Sequence, residues 1–172
     1  ILKNININVK AGEKVALVGS TGSGKSTLIN LILLLYEYKK GDIKLDGISI
    51  NKILRNNLRS QIANVSQDIF LFADSIFNNV TLYNPNISLV DVEKAASEIG
   101  IDKFIKKLPN GFKHIVNEGG TILSSGQRQL ISFLRAYVLN PKILILDEAT
   151  SSVDLFTEEL IQIAIDRIIK NK

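Results

Sequence analysis

One nine-residue stretch near the start of the chain has residue types suited to holding phosphate groups. It fits the pattern G-x-x-x-x-G-K-[ST] of phosphate-binding loops and reads Gly19-Ser20-Thr21-Gly22-Ser23-Gly24-Lys25-Ser26-Thr27. Gly22 and Gly24 allow the backbone to turn its N–H groups inward. Lys25 can reach the β- and γ-phosphates, and the Ser26 hydroxyl can ligate Mg²⁺. The stretch therefore predicts a site for a nucleoside triphosphate and its metal ion.

Two carboxylates further along have the chemistry to complete such a site. Asp147 and Glu148 directly follow four consecutive apolar residues, 143–146, a run that predicts a central parallel strand covered on both faces. Ligands of open α/β sheets bind at this end of the strands. Asp147 is the expected metal partner, and Glu148 is placed to orient or deprotonate a water. An acidic pair ending a strand is by itself more often a cap or a turn, so this prediction depends on the phosphate-binding loop.

The first half of the chain reads mainly as strands. Residues 1–10 alternate apolar and polar and predict a half-exposed strand, and 15–18 predict a buried strand leading into the loop. Residues 28–35 would place apolar side chains on nearly every face of a helix, which predicts a buried helix. Asp46-Gly47 between alternating runs predicts a hairpin, and 62–65 predict a further short strand.

The second half reads mainly as helices. A helical pattern runs from about residue 75 to 108, and Ser88 with Asp91 can serve an N-terminus inside it. Ser124 with Gln127 matches a capping box that opens another helix. Residues 156–169 place their apolar side chains on one face of a last helix.

Composition limits the function classes. The chain has 172 residues, 45% of them apolar, which is enough for one globular domain with a core. The longest wholly apolar run, residues 31–35, is too short to span a bilayer. The net charge is +4, but Lys and Arg are scattered, which favours a solvated surface over a nucleic-acid stripe. The absence of cysteine excludes disulfides and thiolate metal sites.

The stretch Leu123-Ser124-Ser125-Gly126-Gln127-Arg128-Gln129 resembles the L-S-G-G-Q signature of ATP-binding cassette (ABC) ATPases. Motif order is also similar to that family, with Gln67 as the Q-loop and 151–154 as the D-loop. The resemblance covers essentially the whole chain. It implies an α/β P-loop NTPase core with a mostly parallel sheet, an N-terminal antiparallel β portion and an inserted α-helical subdomain at about 70–138. One nucleotide-binding domain would span 1–172, truncated at both ends. Ser125 departs from the family's usual glycine.

The resemblance also implies the cofactors, ATP and Mg²⁺, and a role for each motif residue. Glu148 and Gln67 would be catalytic, and Ser26, Gln67 and Asp147 would hold the metal. The nucleotide would contact residues 19–27 and, across a head-to-tail dimer, the signature and D-loop residues Ser124, Ser125, Gly126, Gln127 and Asp154.

Two further stretches resemble the exporter branch of the family. These are residues 68–76 and Glu118-Gly119-Gly120. In exporters the cassette follows a membrane domain on the same chain. The resemblance therefore implies an ATPase that powers export through ATP-driven dimerisation with a second cassette, identical or not. The full-length protein would place this domain at the cytoplasmic face of a membrane and would bind no nucleic acid. The 172-residue fragment itself would be soluble.

Two other readings remain open. A soluble ABC-type ATPase acting on DNA or ribosomes would need a basic groove or a long coiled-coil insertion, and neither is seen. A binding-only regulatory module is disfavoured by Glu148. The family's adenine-stacking aromatic and switch histidine are expected before residue 1 and beyond Lys172, so the piece alone should be a weak ATPase. His114 reads as a surface residue.

Overall fold

The computed structural model describes residues 2–66, 68–147 and 155–169, without the side chains of 155 and 156. The strands are β1 (Lys44–Leu45), β2 (Ile48–Ser49), β3 (Ile62–Val65) and β4 (Ile143–Leu146). The helices are α1 (Lys25–Ile32), α2 (Arg55–Ser60), α3 (Ile76–Thr81), α4 (Leu89–Ile99), α5 (Asp102–Lys106), α6 (Ser125–Leu139) and α7 (Leu155–Ile168). Short 3₁₀ turns lie at Ile50–Lys52, Gly111–Lys113 and Glu118–Gly120.

The antiparallel pair is the predicted hairpin. β1 and β2 pair with Lys44 opposite Ser49 and Leu45 opposite Ile48. Asp46 and Gly47 between them have φ values of 47° and 80°. Positive φ at both central positions is what a two-residue type I′ turn requires, and it explains why Asp-Gly specifies this turn.

The parallel pair separates two apolar clusters. β3 and β4 pair in register, with Ile62 opposite Ile143 and Val65 opposite Leu146. Since side chains alternate along a strand, Ile62, Ile143 and Ile145 join the smaller cluster that contains α1, while Val65 and Leu144 join the larger helical core. Both predicted strands are confirmed, and both faces of the pair are covered.

The prediction that 143–146 form a central strand is wrong for the described residues. β4 pairs with β3 on one side, and no second strand neighbour lies within the described ranges. Its residues are only partly buried, and Leu146 is 38% exposed. A strand covered on both faces needs apolar side chains wherever it lies in the sheet. A central strand also requires a neighbouring strand on each edge.

The two strands predicted before the phosphate-binding loop are also absent. No strand forms within residues 2–18, and Ile7 is 54% and Val18 94% exposed. The predicted turn at 11–13 does form, closed by a hydrogen bond from Glu13 N–H to the Lys10 carbonyl. An alternating pattern produces a strand only when a neighbouring backbone accepts its hydrogen bonds, and this segment pairs with none in the described chain.

The helix after the loop is shorter than predicted. α1 ends at Ile32 instead of continuing to residue 35, and Leu34 has a φ of 49°. Arg59 donates from Nε to the Leu33 carbonyl and from Nη2 to the Leu34 carbonyl, both at 3.3 Å. These bonds satisfy carbonyl groups that the end of a helix leaves unpaired.

α6 lies at the centre of the larger cluster. It packs against α3, α4 and α7, and its residues Ile131, Phe133 and Leu134 are fully buried. The apolar faces predicted for α4 and α7 also lie in this core, through Val92, Ala95, Ala96, Ile99, Ile161, Ala164 and Ile168. The signature helix is therefore fixed on several sides.

Candidate nucleotide-binding site

The phosphate-binding loop has the backbone conformation that its glycines permit. Gly22 and Gly24 have φ values of 83° and 101°, in the left-handed region. A hydrogen bond of 3.1 Å from Ser23 N–H to the Ser20 carbonyl closes the turn. At Gly19, an added Cβ would lie 2.6 Å from the Ser23 hydroxyl oxygen, so a larger residue here would force the Ser23 side chain to move.

The start of α1 is left uncapped by side chains. Its N-cap is Gly24, which has no side chain to accept a hydrogen bond from the first turn. By contrast, α4 begins with a complete capping box. The first-turn N–H groups and the positive end of the helix dipole at α1 therefore suit an anion.

Lys25 adds a cation to the same loop. Its Nζ donates to the Gly19 carbonyl at 2.6 Å and to the Ser20 carbonyl at 3.3 Å, so the ammonium lies across the loop. Ser26 is exposed in the first turn of α1. The donors present are a lysine ammonium, backbone N–H groups and a hydroxyl, and they fit a magnesium-bound polyphosphate.

Asp147 emerges beside the Gln67 segment. β3 and β4 run parallel, and the Asp147 N–H donates to the Val65 carbonyl at 3.0 Å. Ser66 follows Val65, and its hydroxyl donates to the Asp68 carbonyl at 2.9 Å. Gln67 itself lies outside the described residues. The carboxyl ends of the paired strands thus bring Asp147 next to Val65, two positions before Gln67.

α1 and β4 are joined through the smaller apolar cluster. Ile29 of α1 and Leu33, the residue directly after α1, share this cluster with Ile143 and Ile145 of β4. The helix that begins with Lys25 and Ser26 is thus anchored to the strand that ends at Asp147. Within the described ranges, no three His, Asp or Glu side chains are grouped to hold a metal. The predicted donor set does not need such a group, since it combines a hydroxyl, an amide and one carboxylate.

The signature stretch begins α6 with the predicted capping box. The Ser124 hydroxyl accepts from Gln127 N–H at 3.2 Å, and the Gln127 carboxamide oxygen accepts from Ser124 N–H at 3.0 Å. Arg128 donates to the Leu123 carbonyl at 2.6 Å and fixes the residue before the cap. Ser124 and Ser125 are exposed, while Gly126 is buried. The helix start is therefore rigid and open to solvent.

The remaining predicted site residues are not all observable. Glu148, the D-loop at 151–154 and hence Asp154 lie outside the described residues. Two residues with structural importance were missed by the sequence reasoning. They are Asn79 and Arg135, both polar side chains inside helices whose neighbours are largely buried. The feature of the sequence that could have identified them is a polar residue on an otherwise apolar face of a helix.

Gly120 gives a prediction about the turn that precedes the signature. Its φ is 64°, and an added Cβ would lie 2.7 Å from the Cδ1 atom of the fully buried Leu71. We expect Gly120→Ala to lower the free energy of unfolding by about 1–3 kcal/mol, measured by chemical denaturation. Gly111→Ala is the matched control, because Gly111 has a φ of 54° but nothing within 4 Å. Equal losses in both variants would rule out the steric cause.

The fold and the site together define a class. A parallel strand pair covered on both faces, a phosphate-binding loop that opens α1, and an inserted group of helices form a P-loop NTPase core of the ABC ATPase type. The family model described as "ABC transporter" matches residues 2–151, and the chain belongs to that family. No helix in the described part of the chain has the length and apolar character needed to cross a membrane.

Individual relatives agree with this assignment. The chain is 49% identical over 172 residues to an "ATP-dependent lipid A-core flippase" of Wigglesworthia glossinidia brevipalpis, covering 99% of this chain and 30% of the relative. It is 46% identical over 166 residues to a "Probable multidrug resistance ABC transporter ATP-binding/permease protein" of Bacillus subtilis (strain 168), covering 96% of this chain and 25% of the relative. The chain thus spans less than a third of these relatives' length.

A solved structure supports the fold. It is titled "Structure of a bacterial Atm1-family ABC exporter with ATP bound" and superposes with a TM-score of 0.85 at 36% identity. The match covers 94% of this chain and 28% of the exporter chain.

Proposed function

We propose that this chain is the ATP-binding and ATP-hydrolysing domain of an ABC exporter, working through a head-to-tail dimer of two such domains. The observation that carries the proposal is the uncapped start of α1, where Lys25 lies across a loop with two glycines at positive φ. Family membership and the ATP-bound exporter neighbour support the choice of ATP. The scattered charge of +4 gives no support to the alternative of a DNA- or ribosome-directed ATPase.

Each residue of the proposed site has a distinct task. Lys25 and the first-turn N–H groups of α1 bind and orient the β- and γ-phosphates. Ser26, Asp147 and Gln67 hold Mg²⁺, which when bound neutralises charge on the phosphate oxygens. Glu148 takes the proton of the attacking water.

A second cassette is the proposed partner of the signature. Ser124 and Ser125 are exposed, and the positive end of the α6 dipole lies beside them. We infer that this helix start contacts the γ-phosphate bound to the other cassette, together with Gly126, Gln127 and Asp154. The rigid capping box keeps its geometry fixed before the two cassettes meet.

A membrane domain is the second proposed partner. The rings of Phe70 and Phe72 stack edge to face at 5.3 Å, and both side chains are about half exposed. Glu118 is also exposed, and the neighbouring Gly119 donates to the Leu71 carbonyl at 2.8 Å. Both exporter-like stretches therefore belong to one surface. Relatives named as ATP-binding/permease proteins support a membrane domain on the same chain.

Mixing two inactive variants of the full-length protein tests the dimer. Lys25→Ala should disable the loop of one copy, and Ser124→Arg should disable the signature of the other. If the signature acts across the dimer, mixed dimers combine both defects in one site and leave the other intact. Mixed dimers isolated through two different affinity tags should then recover about half of the parental ATP hydrolysis. Dimers of either variant alone serve as controls, and absence of recovery in mixed dimers would contradict the proposal.

A further inference from the structure

Two side chains connect the signature helix to the loop that follows the Gln67 segment. Arg135 lies on α6, and its Nε donates to the backbone carbonyl of Asn79 at 2.8 Å. Asn79 lies on α3 and is 1% exposed. The two residues are 56 positions apart in sequence. They form a contact between elements that carry two different parts of the proposed site.

The Asn79 carboxamide holds residues 72–75, which we call the clamped loop. Its Oδ1 accepts from Phe72 N–H at 2.8 Å. Its Nδ2 donates to the Phe72 and Ser75 carbonyls, both at 3.0 Å, and more weakly to the Asp74 carbonyl at 3.4 Å. One buried side chain thus satisfies several backbone groups that would otherwise be costly to bury.

The clamped loop begins at the exposed aromatic pair. Phe72 provides both the backbone groups that Asn79 holds and one of the two stacked rings. The turn before the signature is tied to the same strip of chain through the bond from Gly119 N–H to the Leu71 carbonyl. A partner that presses on the rings would therefore act directly on the backbone held by Asn79.

Burying the Arg135 side chain at this point costs free energy. Burial lowers the pKa of its guanidinium below the ordinary arginine value. Its Nη2 is buried and makes no hydrogen bond within the described part of the chain. The bond from Nε reaches a carbonyl near the negative end of the α3 dipole, which favours a cation. Arg135 thus bears a desolvation cost at the position where it links α6 to α3.

We propose that Arg135 and Asn79 are positioning residues that keep the clamped loop in register with α6, so that displacement of one displaces the other. The path runs from the Ser124 cap along α6 to Arg135, then through the Asn79 carbonyl and carboxamide to the Phe72 backbone. This inference rests on the proposed function. Movement of α6 affects ATP hydrolysis only if the signature at the start of α6 contacts ATP, as proposed above.

Hydrogen exchange in the full-length protein tests the connection directly. In Arg135→Gln, the Phe72 amide should exchange roughly tenfold faster than in the parent, although Arg135 does not bond to Phe72. Asn79→Asp should also speed exchange at Phe72, because its carboxylate still accepts from Phe72 N–H but repels the Phe72 and Ser75 carbonyls to which the carboxamide donates. Asn84→Asp is the matched control, because the side-chain hydrogen bond described for Asn84 is one that its Oδ1 accepts, from Asn86 N–H. Arg55→Gln controls for loss of an exposed arginine that makes one long surface ion pair.

Arg135→Lys keeps a donor and should give an intermediate exchange rate at Phe72. It also preserves the test if Arg135→Gln does not fold. A rise confined to the clamped loop and including Phe72, with α4 amides still protected, supports the connection. An unchanged Phe72 rate, or an equal rise throughout α4, overturns it.

Steady-state kinetics distinguish a positioning role of Asn79 from a simple loss of stability. Asn79→Asp should lower kcat for ATP hydrolysis about tenfold while KM for ATP stays within about twofold, because the clamp does not touch the phosphate-binding loop. A rise in KM equal to the loss of kcat/KM would overturn the proposal. A parent protein that does not hydrolyse ATP would refute the proposed function instead, and the exchange result would still stand.

Discussion

Replacing Lys25 with alanine is expected to abolish measurable ATP binding. The ammonium already lies across the loop, bonded to the Gly19 and Ser20 carbonyls, where it can turn to the β- and γ-phosphates. Each charge-assisted hydrogen bond to phosphate is worth about 1.5–3 kcal/mol, so loss of two should weaken binding by roughly a hundredfold or more. Titration of the full-length protein with a fluorescent ATP analogue measures the change.

Lys107→Ala is the matched control for this experiment. Lys107 is exposed at the end of α5, so its removal changes the net charge equally without touching the loop. The control should bind the analogue as the parent does. Parental affinity in Lys25→Ala would contradict the assignment of the loop.

Glu148→Gln in the full-length protein should leave ATP binding intact and nearly stop hydrolysis. Glutamine keeps the shape of the side chain but cannot accept the proton of the attacking water. General-base catalysis contributes about 10²–10⁴-fold, and the loss should fall in that range. ATP should then remain trapped on the protein after rapid removal of free nucleotide. Phosphate release and retention of labelled ATP measure the two effects.

Glu159→Gln controls for the charge change, since Glu159 is exposed on α7. Hydrolysis by the control should match the parent. If Glu148→Gln also hydrolyses ATP at the parental rate, the base is another group.

Local patterns predicted the elements whose cause is local. Asp46-Gly47 specifies its turn through two positive φ values, and Ser124 with Gln127 specifies a helix start through two reciprocal bonds. The helical faces follow from spacing alone, since the same residues that repeat in the sequence are buried in the core. The positive φ values of Gly22 and Gly24 likewise agree with the glycine pattern of residues 19–27.

Predictions failed where a distant part of the chain decides the outcome. α1 ends early, at Ile32, and the carbonyls of the next two residues accept hydrogen bonds from Arg59, which lies 26 positions after Leu33. Residues 2–18 alternate as a strand should, but a strand also needs a partner, and none pairs with this segment in the described chain. The bond between Arg135 and Asn79 likewise joins distant positions that no local motif connects.

The unequal size of the two apolar clusters has a consequence for how the molecule opens. Among the described residues, five buried side chains form the cluster around α1, against twenty in the helical core. Local opening costs least free energy where the least apolar surface is buried, so the half that carries Lys25 should unfold before the signature half. A ligand that binds only the closed form stabilises it by mass action. Bound nucleotide would therefore add to the stability of the half with the smaller core, and its departure would loosen that half first.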